Sequence, residues 1–68
     1  MESVIIRDPA IMSGEPVFRG TRVLVRTLFE YIEAGHSLDW FLEGFPSISR
    51  DTALQALEEA RESLFALH

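Results

Sequence analysis

Apolar residues fall into two regimes along the chain. Up to Phe18 they come in short runs, "SVIIR" and "VF", each stopped by turn-forming residues. From Val23 onward they recur every three or four positions, the spacing that keeps side chains on one face of a helix. Val25, Leu28, Phe29 and Ile32 stand at i, i+3, i+4 and i+7 and predict a first helix over about residues 23–34, with Gly35 free to end it in a left-handed cap. Ser37 is a good N-cap for a second helix over 38–45, in which Leu38, Phe41, Leu42 and Phe45 repeat the spacing before Pro46 forbids continuation. Ser49 can cap a third helix over 50–66, with Asp51 favourably placed in its first turn and a stripe of Ala53, Leu57, Ala60, Leu64 and Leu67. Ahead of these, residues 3–6 read as a strand closed by Asp8-Pro9, "AIMSGEP" as a turn, and Val17-Phe18 as a second, very short strand, with Gly20 available for a positive φ. Two such strands are barely stable alone and must pack on something or pair with another chain. The prediction is therefore mainly α: a tri-helical helix-turn-helix core at 23–66 behind a short β element and arginine-bearing turn at 1–22, all in one domain over residues 1–68.

Three residues do not fit the stripes. Trp40 lies nearly opposite the apolar face of the second helix, so it is either wrapped from both sides or is an exposed anchor for a partner. Leu54 and Phe65 lie about 100° or more from the stripe through Ala53, with Arg61 between them. That shoulder is either peripheral core or a partner groove.

The chain's 68 residues bury only roughly 60% of the surface the unfolded chain exposes, which makes stability marginal. The absence of cysteine removes disulfides and thiolate metal sites as compensation. No positive n-region precedes an apolar run and no stretch approaches the ~20 residues that span a bilayer, so a soluble, cytoplasmic protein is expected. The net charge of −5 is uneven, with +1 over residues 1–26 and −6 over 27–68. Half of the six basic residues, Arg19, Arg22 and Arg26, cluster behind Glu15 with no acid between them. An acidic chain attracts nucleic acid only where its cations share a face, and this cluster is the candidate. The plainer reading is that Arg22 or Arg26 pairs internally, with an acid such as Asp8 or Glu30.

Other chemistry is sparse. His36 and His68 are too few and too far apart for a metal site. Glu30, Glu33, Glu58, Glu59 and Glu62 have the spacing of solvated helix surface and stand beside no recognisable nucleophile or phosphate cradle. No enzyme, cofactor or metal is expected.

The run from Asp8-Pro9 through Gly14-Glu15-Pro16, Gly20-Thr21-Arg22, Ala34-Gly35 and Phe45-Pro46 to the helix from Ser49 resembles the domain of unknown function 433 family over about residues 4–62. The resemblance implies a homeodomain-like or winged helix-turn-helix fold and, for many members, the antitoxin half of a type II toxin–antitoxin pair, with a PIN-like ribonuclease as partner and autoregulation of the operon by a dimer. The chain departs from that pattern in having no lysine, a very short C-terminal tail and Asp51 near the start of the third helix.

On this reading Arg19, Arg22 and Arg26, with Ser49, Arg50, Thr52 and Gln55, contact operator DNA. Trp40, Leu54, Arg61, Phe65 and Leu67 contact the toxin, and Val4, Ile5 and Ile6 pair with their copies in a homodimer. The alternative is a helix-turn-helix-shaped protein-interaction module, or a stand-alone transcriptional regulator without a toxin.

Overall fold

The computed structural model describes residues 2–66. The elements follow in the order β1 (Ile5–Ile6), a 3-10 turn (Met12–Gly14), β2 (Val17–Phe18), α1 (Val25–Glu33), α2 (Leu38–Gly44) and α3 (Arg50–Phe65). The fold is thus three helices behind a two-stranded antiparallel sheet, in which Ile5 pairs with Phe18 and Ile6 with Val17.

The β element is held by the turn that follows it. Gly20 takes φ +78°, a conformation a Cβ would resist. Thr21 then donates from both its amide (3.0 Å) and its hydroxyl (2.8 Å) to the Phe18 carbonyl, while its Oγ1 accepts from the Val23 amide. Phe18 N–H reaches back to the Val23 carbonyl, and Val17 bridges to Leu24. The chain is thereby folded back so that Val17 and Phe18, both fully buried, lie against α1, and the Pro16 carbonyl accepts the Val25 amide at the start of that helix. The strands do pack on the helices, as their shortness requires.

Helix boundaries agree with the sequence to within two residues. Past the end of α1, Gly35 N–H bonds to the Ile32 carbonyl and His36 N–H to the Tyr31 carbonyl, the paired bonds of a Schellman motif, with Gly35 at φ +91°. Ser37 Oγ accepts from Trp40 N–H and Ser49 Oγ from Thr52 N–H, so α2 and α3 both start on a side-chain cap.

The core consists of Phe18, Val25, Leu28, Phe41, Ile48, Ala53 and Ala56, with Tyr31, Leu42, Phe45 and Leu57 partly buried around it. Two expected core positions are exposed instead. Ile32 stands 42% exposed because the buried face of α1 turns toward Tyr31, whose ring meets Phe41 and Phe45 edge-on at 5.5 and 5.9 Å. Leu64 is 67% exposed. It lies in the last turn of α3, the longest of the three helices. Leu67, also expected in the stripe, lies outside the described residues.

Candidate functional site

The arginine cluster does not stand clear of acids. Arg26 Nη2 lies 2.7 Å from Oε1 of Glu15, the acid between Gly14 and Pro16. Arg19 Nε donates to the Ser3 carbonyl at 2.7 Å, and its Nη1 lies 3.7 Å from Glu2. Arg22 makes no ion pair among the described residues. It projects from the turn fixed by Gly20 and Thr21 onto the rim of an open groove of about 550 Å³ that Met12, Thr27 and Ser47 also line. The expected trio is therefore one unpaired guanidinium and two in exposed ion pairs. Such pairs contribute about 0–1 kcal/mol, and competing anions can displace them.

At the head of α3 most polar groups are also engaged. Arg50 pairs with Asp39 of α2. Ser49 Oγ caps the helix and donates to Thr52 Oγ1, and Thr52 and Gln55 are half-buried.

The apolar shoulder of α3 is open. Leu54 is 45% and Phe65 58% exposed; with Glu58 and Arg61 they stand at i, i+4, i+7 and i+11, one line along the helix. Arg61 lies over the Phe65 ring, 5.5 Å from its centroid, and pairs loosely with Glu58. Trp40 is 55% exposed, which decides its placement: it is surface, not core. His36, positioned by the Schellman turn, stacks on its indole at 5.5 Å and 19°.

Sequence spacing gave no sign of one further contact. Glu59, on α3, accepts from the Ser3 hydroxyl and from the Val4 amide (3.1 Å), fastening the start of the chain to its last helix. The Ser3 bond is the main reason its carboxyl titrates below the ordinary glutamate range; partial burial opposes the shift, while Val4 N–H, Gln55 and Arg19 add to it. Of the expected dimer residues, Ile5 and Ile6 pair with β2, the Val4 carbonyl takes Arg19 N–H, and Ser3 Oγ accepts the Ile5 amide.

A family model described as Protein of unknown function (DUF433) matches residues 5–60. The chain belongs to this family. The run from Gly14 to Arg22 is largely architectural, since Gly20 and Thr21 build the turn from which the exposed Arg22 projects. The chain is also similar to Uncharacterized protein y4eO of Sinorhizobium fredii (strain NBRC 101917 / NGR234), at 40% identity over 48 residues. That alignment covers 71% of the chain and 22% of the relative, so the chain spans about a fifth of the length of the curated protein it matches. No solved structure gave a significant match. No helix among the described residues is long and apolar enough to cross a membrane.

Proposed function

We propose that this chain is a cytoplasmic binding protein, the antitoxin half of a toxin–antitoxin pair, which seats the open face of α3 on a PIN-like ribonuclease. The observation that carries this reading is the line Leu54, Arg61, Phe65, in which two large apolar side chains and the guanidinium between them are left uncovered on a helix that also exposes Asp51, Glu58 and Glu62. Residues 27–68 carry −6, which complements the basic surface of a protein that handles RNA. The family resemblance supplies the toxin–antitoxin context. Co-expression with the product of the adjacent reading frame tests it: the chain should relieve growth arrest, and Leu54→Glu with Phe65→Glu should abolish relief while circular dichroism stays helical. An interface anchor contributes at least about 2 kcal/mol, so binding of the double variant should weaken by about thirtyfold or more. Unrelieved arrest with the wild-type chain would defeat the assignment.

Operator binding belongs to the same proposal, with Arg22 as its principal contact. A homodimer through the outer edge of β1 does too, and requires Ser3 Oγ to release Ile5. A specific observation favours the second reading, an interaction module without DNA: Arg19, Arg26 and Arg50 each already have an acidic partner. Gel shift on the gene's own upstream DNA at two salt concentrations separates the readings. Operator binding gives a salt-sensitive shift that Arg22→Ala removes; the interaction module gives none even at low salt.

A further inference from the structure

A pocket of about 270 Å³ opens between α1 and α2, lined by Tyr31, Trp40, Glu43 and Gly44. Trp40, Glu43 and Gly44 stand at i, i+3 and i+4 of α2 and so share one face, opposite Tyr31 of α1. Gly44 keeps the floor bare, its missing Cβ being 3.9 Å from the Tyr31 hydroxyl. The volume is below the range of pockets that take cofactors or drug-sized ligands and suits one side chain.

We propose that this pocket receives the guanidinium of an arginine side chain presented by a partner protein. Trp40 and Tyr31 both line the pocket, and aromatic rings attract an organic cation, Trp best of them. The third wall is a carboxylate, and Glu43 is exposed with no ion pair among the described residues, in a chain of net charge −5. A planar guanidinium stacks on an aromatic face while forking onto a carboxylate, which a compact ammonium does less well. His36 stacks on Trp40 and is itself in ring contact with Tyr31, so the indole is held in place before any ligand arrives. The inference rests on the reading that the chain binds a basic protein, but its test needs no toxin.

The probe is a blocked Gly-Arg-Gly tripeptide added to the full ¹⁵N-labelled chain at constant ionic strength. Trp40 is the only tryptophan and gives a single indole N–H resonance. That resonance and the Glu43 and Gly44 amides should move saturably with the arginine peptide, and remain in place with its neutral citrulline counterpart. Glu43→Gln should weaken binding by about fivefold, as expected of an exposed charge pair. A lysine peptide should bind more weakly. Equal response to citrulline, an unaltered affinity in Glu43→Gln, equal binding of lysine, or no saturable movement up to ~0.1 M peptide each overturns the proposal. Failure of growth rescue with a saturable arginine response would defeat only the antitoxin reading, and the converse would defeat only this site.

Discussion

Glu59 is the residue whose chemistry extends furthest beyond its own helix. Its carboxylate holds Ser3 and Val4, some 55 positions away, and those hydrogen bonds favour the charged form. Because its folded pKa is depressed, the stability it contributes is present above the ordinary value of 4.5 and is lost as pH falls through the lowered value. Glu59→Gln should therefore cost about 1 kcal/mol at neutral pH, and the two melting curves should converge in acid below that range. Thermal melts followed by circular dichroism from pH 7 to pH 3 check this; a constant gap across the range would sink it. Nothing at the level of local pattern revealed this contact. Glu59 reads as one more carboxylate on a solvated helix, and its partners lie at the opposite end of the sequence. The arginines are similar. The ion pairs of Arg19, Arg26 and Arg50 join residues 11 or more positions apart, a separation at which spacing carries no information about contact.

The helices were legible because their ends are written in single residues. Gly35, Ser37, Pro46 and Ser49 each act through local backbone chemistry, which needs no tertiary contact to operate. Ser49→Ala and Ser37→Ala should each cost about 1 kcal/mol, and in a chain of this size a loss of that order lowers the melting temperature by about 4–8 °C. What the pattern could not give was which part of each stripe is covered. Burial depends on the neighbours: α1 turns Tyr31 rather than Ile32 toward Phe41 of α2, and Leu64 is left exposed in the last turn of α3. Ile48 shows the reverse. Lying in the Pro46–Ser49 turn it reads as loop, yet it is buried, closing the core where α2 hands over to α3.

For the molecule as a whole, the core is small and the β element supplies one of its two fully buried phenylalanines, Phe18. Phe18 meets Phe41 of α2 at 6.2 Å and packs among residues from all three helices. Removing a buried phenylalanine ring costs about 3–5 kcal/mol, while a chain of this length has roughly 3–10 kcal/mol in total. Phe18→Ala should lower the melting temperature by well over ~10 °C, read as earlier loss of helical ellipticity on heating, although the substitution lies in no helix.

The bond from Glu59 to the Val4 amide gives the residue just ahead of β1 a clock. That proton can exchange with deuterium only when residue 59 lets go, so its exchange rate times the loosening of the final helix from the far end of the polypeptide. A ligand that clamps α3 should slow deuteration at Val4 without touching it.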